Sequence, residues 1–280
     1  MTDGNKRKHG TMRKVDGALG LHELGQQRVF QLRFMKDQCE GIFEWINVLF
    51  EKTYHAAPLR QRSYMLTRQL KGTPDSRSHE RLLEVALWKT FGPNRPDWGV
   101  DVLPNLCRYI LTFQTPIFRT NAKEFGDKID LIGVSSDWLP VVFELKKGDS
   151  PETPLRMLVE AAAYGIAIRK AWNEKEGHLA QDWAAAVNPN GETLTYPKNL
   201  QIVPLVCIAP ASYWAKCIGL PGKTTSGKVR SDAWGVLGRV VDALNVRGLP
   251  AVFVQFDEGV KGKDGFPSVQ NLRVVDLPRN

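Results

Sequence analysis

The sequence predicts an α/β fold in which a mixed central sheet is flanked by helices and preceded by an N-terminal helical extension. Two observations carry this. Three short β-rich runs, YILTFQTPIF, KIDLIGVSS and LPVVFELKK, follow one another between residues 109 and 147 with turn residues between them. After them, helical and strand-like runs alternate. The resulting order of helix, three strands, helix, strand, helix, strand implies a mixed sheet with helices packed on it.

Residues 1–20 are polar and basic, with Lys6, Arg7, Lys8, Arg13 and Lys14 among glycines, and predict a disordered tail. From about 22 to 70, spaced apolar positions such as Phe34, Ile42, Phe43, Ile46, Leu49 and Phe50 suit one long helix and part of a second. This helical lobe is placed at 21–75. The joint KGTPDSRS leads into the main domain, 76–280, whose first helix runs from Ser78 to Gly92. Asp149, Ser150, Pro151 and Thr153 supply capping and first-turn residues for a helix near 152–173, with Leu155, Leu158, Val159, Ala162 and Ile166 as its apolar stripe. LQIVPLVCIAP then reads as a buried strand, SDAWGVLGRVVDALNVRG as a helix capped by Ser231 and ended by Gly248, AVFVQF as another buried strand, and LRVVD as a final one.

At 280 residues, 42% hydrophobic and 24% charged, the chain can bury one sizeable core. No apolar run approaches the roughly 18 residues of a membrane span, and the N-terminus carries no apolar signal core, so an intracellular protein is expected. Cys39, Cys107, Cys207 and Cys217 form no C-x-x-C pair and read as free thiols. The net charge of +8 favours a polyanionic partner such as nucleic acid. The five histidines form no metal or nucleophile pattern.

Two acids stand where buried strands should exclude them. Asp130 opens the run DLIGV, and Glu144 follows Val141, Val142 and Phe143 with Lys146 two residues on. Side chains alternate along a strand, so Glu144 and Lys146 project to one face and Leu145 to the other. If the two strands pair through the bend at 135–140, Asp130 approaches Glu144, and two carboxylates meet one ammonium. Such a pair repels itself in a half-buried site, and a hard divalent cation such as magnesium relieves it.

Acid at the start of one strand and acid-x-lysine on the next, in this order of elements, resembles the PD-(D/E)XK nuclease superfamily, the restriction-endonuclease-like fold, over roughly residues 78–257. The resemblance implies a magnesium-dependent phosphodiesterase, manganese substituting, that acts on nucleic acid and on DNA in preference to RNA. By the same resemblance Asp130 and Glu144 bind the metal, the Leu145 carbonyl is a third ligand, and Lys146 is the catalytic lysine. Ile129 stands where the family name has proline.

Family members often add a glutamate from the first core helix, and Glu80 and Glu84 are the candidates. Helical spacing sets Glu80 with Leu83 and Leu87, toward the sheet, and Glu84 with Arg81 and Trp88; Glu80 is preferred on that ground. RecB-like members carry Q-x-x-x-Y on the helix after the third strand; here Glu160 and Tyr164 occupy that spacing, glutamate replacing glutamine. Tyr164 and Lys147, with the basic loop residues Lys223 and Lys228, are candidate nucleic-acid contacts. The lobe at 21–75 is a candidate for a homodimer or partner-subunit contact.

Three features mimic known motifs. Gly222 through Lys228 satisfies G-x-x-x-x-G-K, but Val229 stands where a phosphate-binding loop needs Ser or Thr. Pro74-Asp75 and Pro96-Asp97 precede the first core strand. Asp127, three residues before Asp130, lies in the turn EFGDK ahead of the apolar run.

Overall fold

The structure, a computed structural model, describes residues 78–95, 100–117, 128–150, 154–174, 178–187, 195–218 and 227–276, together with Tyr64, Leu66 and Glu152; for 218 and 227–236 it describes the backbone alone. The basic tail, almost all of the 21–75 lobe, Asp127 and Lys223 lie outside these residues.

Helix α1 (His79–Phe91) is followed by strands β1 (Tyr109–Pro116), β2 (Lys128–Val134) and β3 (Pro140–Leu145). Helices α2 (Pro154–Asn173) and α3 (His178–Val187) come next, then β4 (Leu205–Pro210), α4 (Ala211–Ile218), α5 (Gly227–Val246), β5 (Ala251–Lys261) and β6 (Pro267–Val274). The expected α/β class and mixed sheet are present. All six strands form one sheet in sequence order, antiparallel from β1 to β3, parallel from β3 to β5, and antiparallel again between β5 and β6. Short bends join β2 to β3 and β5 to β6, whereas each parallel step is bridged by helices, as chain geometry demands.

The sheet divides the core in two. One side collects Ile132, Val134, Val142, Leu205, Cys207 and Ala209 beneath α2 and α3. The other collects Leu131, Val141, Phe143, Leu145, Val206, Ile208 and Val254 with the apolar side chains of α1. Strands covered on both faces must be apolar nearly throughout, which is why β3 and β4 are buried end to end. Helix α1 packs against both β1 and β6, the two outer strands, so the sheet curls around it. Tyr64 is buried in the α2 side of the core, and its backbone N–H donates to Asp182 of α3 at 2.8 Å.

Several boundaries depart from sequence expectation. Of LQIVPLVCIAP only Leu205–Pro210 is strand; Pro204 has no N–H to donate, although its carbonyl accepts from the Val142 N–H of β3 at 2.9 Å. Helix α5 begins at Gly227, so Ser231 lies within it rather than at its cap. Helix α3 was not anticipated. Strand β5 runs well past AVFVQF into a hairpin with β6, tied to α1 by His79 Nε2 and Glu258 Oε1 at 2.6 Å and by the Lys89–Asp264 ion pair. Among the described residues no helix is long and apolar enough to cross a membrane.

Gly133 sits where β2 passes closest to its neighbours: a Cβ there would lie 2.6 Å from Cys107 Sγ and 2.7 Å from Phe143 Cε2. Gly133→Ala is expected to destabilise the chain by about 1–3 kcal/mol through overpacking. Urea unfolding measures this, and an unchanged midpoint would contradict the packing described.

Candidate active site

Strand pairing assembles the site. Leu131 pairs with Phe143 in the β2–β3 ladder, and continuing that register by one residue sets Asp130 opposite Glu144. On the other flank Phe113 pairs with Leu131 and Thr115 with Ile129, which brackets Gln114 opposite Asp130. Gln114, Asp130 and Glu144 therefore form a row across three strands. Glu144 and Lys146 share the face of Val142, under α2, while Leu145 packs into the opposite core.

Lys146 is buried, and its ammonium meets three carboxylates: Glu160 Oε2 at 2.5 Å, Glu144 Oε1 at 2.6 Å and Glu152 Oε2 at 2.8 Å. Glu160 comes from α2, one turn after Arg156, whose Nε donates to its other oxygen at 3.0 Å. Asp130 Oδ2 accepts the Leu145 backbone N–H at 2.9 Å, which ties the first acid to the peptide between the other two site residues.

The charges are unevenly shared. Burial opposes the charge of Lys146, yet Glu144, Glu160 and Glu152 hold its pKa well above the ordinary value. Burial also opposes ionisation of Glu160, but Lys146 and Arg156 overcome it and pull the carboxyl down to about 2. Glu144 is pushed well above the usual range by burial and by Asp130. Asp130 is raised to about 7, chiefly by burial, with Lys146 opposing and Glu80 adding to the shift. Glu160 is thus the firm anion of the group, and the facing pair Asp130 and Glu144 is the part that resists holding two negative charges.

The α1 glutamates differ from the helical-phase reading. Glu84, assigned away from the sheet with Arg81 and Trp88, is buried at 3% exposure, whereas Glu80 is only partly buried. The curl of the sheet explains the correction. Because β1 wraps that flank of α1, Trp88 Nε1 donates to the Leu111 carbonyl at 3.0 Å, Arg81 donates to Gln114 Oε1 at 3.3 Å, and Gln114 Nε2 donates to Glu84 Oε1 at 2.8 Å. The second Glu84 oxygen, Oε2, is buried without a hydrogen-bond partner. Burial, then Asp130, push this carboxyl to about 9. Glu80 acts electrostatically on Asp130, and Asp130 on Glu84, so both helix acids lie within electrostatic reach of this strand acid.

Of the other candidates, Tyr164 is partly buried and packs against the core one turn beyond Glu160, and Lys147 pairs with Asp149 at 3.1 Å at the surface. Lys228 lies in the first turn of α5. Sequence reading missed Gln114, Glu152 and Arg156. Gln114 is the only amide in the run YILTFQTP, and it adopts a left-handed φ of 52° that favours glycine, a strain more common at functional sites than elsewhere. Glu152 was legible only as an acid between strand and helix.

Among the described residues no three His, Cys, Asp or Glu side chains form a ready-made metal cage. Comparison of the chain with models of known families, with curated proteins and with solved structures finds no match in any of the three.

Between the ordinary glutamate pKa near 4.5 and about 9, the folded chain keeps a Glu84 proton that the unfolded chain releases. Stability therefore falls as pH rises through that window. In EDTA the melting temperature is expected to decline from about pH 5 to about pH 9, and Glu84→Gln to flatten the decline. Parallel profiles for the two proteins would contradict the burial of an ionisable Glu84.

Proposed function

We propose that the protein is a magnesium-dependent nuclease of the PD-(D/E)XK type that hydrolyses phosphodiester bonds, as an endonuclease on DNA. The observation that carries this reading is Asp130 facing Glu144 across paired strands, with the Lys146 ammonium drawn to the same side. Further support comes from the order of α1, the β1–β3 meander, α2 and a parallel β4, and from the net charge of +8, which suits a polyanion even though the site itself is acidic.

The donor set fits the metal. Carboxylate oxygens suit magnesium, which keeps several waters and so needs few protein ligands. Asp130 and Glu144, both raised, are two acids that share the charge of one ammonium, and the unpartnered Glu84 Oε2 belongs to a third acid within electrostatic reach of Asp130. Asp130, Glu144 and the Leu145 carbonyl would hold the ion, with Glu84 or Glu80 assisting directly or through water. Bound there, magnesium supplies Lewis acidity and lowers the pKa of a water ligand.

The chain's own residues do the rest. The Lys146 ammonium orients the attacking water by hydrogen bonding and offsets negative charge as it grows on the phosphate oxygens during in-line displacement. Glu160, braced by Arg156, holds that ammonium charged and fixed in place. The Asp130 bond to the Leu145 N–H keeps the two acid-bearing strands in register at the reacting end.

A second reading, a nucleic-acid-binding or assembly module that does not cut, is favoured by one observation: all three Lys146 donors already have carboxylate partners. Incubation with labelled duplex DNA, single-stranded DNA and RNA in magnesium, manganese or EDTA separates the two. Cutting is expected with either metal and not in EDTA, with Lys146→Ala or Asp130→Asn slowing it by about a thousandfold or more. Binding without cutting on every substrate would favour the module, and cutting undiminished in both variants would remove these residues from the mechanism.

A further inference from the structure

An ammonium has three N–H donors and no acceptor. In Lys146 they face Glu144, Glu152 and Glu160. To bond a water or a phosphate oxygen, the lysine must release one of them, and the three are not equally held. Glu144 sits in a central strand flanked by β2 and β4. Glu160 is fixed on α2 and is bound by Arg156 as well.

Glu152 is different on each count. It belongs to neither strand nor helix, makes the longest of the three contacts, and has the most exposed side chain, 22% against 5% for Glu144 and 10% for Glu160. Its backbone, however, is anchored: the Glu152 carbonyl accepts from Tyr213 Oη at 3.1 Å, and the Ser150 carbonyl accepts from Lys216 Nζ at 2.9 Å, both from α4. Close by, Gly148 passes Ser212 so tightly that a Cβ would lie 2.4 Å from its Oγ. Helix α4 therefore holds the main chain while the carboxylate reaches inward from the solvent side.

We propose that Glu152 is a positioning residue that occupies the phosphate's place on Lys146: its carboxylate caps the ammonium in the free protein and gives way to a substrate phosphate oxygen on binding. This rests on the nuclease reading for the identity of the phosphate. Two consequences follow from exchanging one anion for another at a single cation. Each phosphodiester that binds must displace a carboxylate, so Glu152 weakens affinity. A wrong, uncharged or poorly placed ligand leaves Lys146 capped, so Glu152 also sharpens selectivity for a phosphate set at the correct depth.

The test is binding rather than cutting. Fluorescent duplex and single-stranded oligonucleotides are titrated in EDTA against the wild-type protein, Glu152→Gln, Lys146→Ala and the double variant. Glu152→Gln keeps the size and an acceptor oxygen but loses the charge, and is expected to bind the preferred oligonucleotide about tenfold more tightly than wild type, while the same change in the Lys146→Ala background alters affinity by less than about twofold. A merely structural glutamate would lower affinity or leave it unchanged when replaced, and either result overturns the proposal. Equal tightening in both backgrounds overturns it too, because Glu152 would then act as general surface charge and not through Lys146. Melting curves in the same buffer, expected to match for wild type and Glu152→Gln, guard the comparison, and Glu152→Asp, which restores charge at shorter reach, should return affinity toward wild type. The nuclease reading stands or falls separately on metal-dependent cutting by the wild-type protein.

Discussion

The buried Lys146 ammonium is the interaction on which the site depends. Taking a charge out of water costs several kcal/mol unless partners replace the solvent. Here strand β3, helix α2 and the segment before α2 each contribute a carboxylate, so the lysine joins three parts of the fold at one atom. Removing the lysine would leave its carboxylate partners crowded together without it, so the cluster depends on that one side chain. It does not neutralise the site, because Asp130, Glu80 and Glu84 add further acid on the β2 and α1 side.

That imbalance organises the chemistry. Glu160 stays anionic because Arg156 and Lys146 flank it, whereas Asp130 and Glu144 face each other across two strands and resist being charged together. One side of the lysine is therefore firmly ion-paired and the other is short of positive charge. On the proposed nuclease reading, a divalent ion at the second position would join the fixed ammonium at the first in offsetting charge that builds on a phosphate.

The curl of the sheet links this site to the fold at large. Helix α1 touches both outer strands, so the flank carrying Arg81, Glu84 and Trp88 is covered as well, Glu84 fully and the other two in part, beside the fully buried flank of Leu83 and Leu87. Gln114 completes the arrangement from β1, at a strained backbone angle, and hydrogen-bonds both Arg81 and Glu84 of α1. Helix α4 plays the matching part on the other side by holding the main chain at Ser150 and Glu152.

Much of this was legible beforehand, for local reasons. Alternation along a strand is a property of the chain itself, so the shared face of Glu144 and Lys146, and Leu145 on the other, could be read from spacing. The bend at 135–140 is short enough to impose antiparallel pairing, which brings Asp130 to Glu144. The ends of helix α1 near Ser78 and Gly92 could be read from the turn residues there, although the Ser78 side chain makes no cap hydrogen bond. The choice between Glu80 and Glu84 could not be read, because one helix's periodicity assumes a single buried face and the curled sheet buries two. Glu152, Arg156 and Gln114 were equally out of reach, since nothing in their own stretches says which distant cation or acid they will meet. Sequence alone determined which residues share a strand face and the order of the elements other than the short helices α3 and α4, because those follow from backbone periodicity. Only the tertiary structure decided which acids surround Lys146 and which helix glutamate is buried, because both depend on contacts between segments that the chain brings together through the sheet.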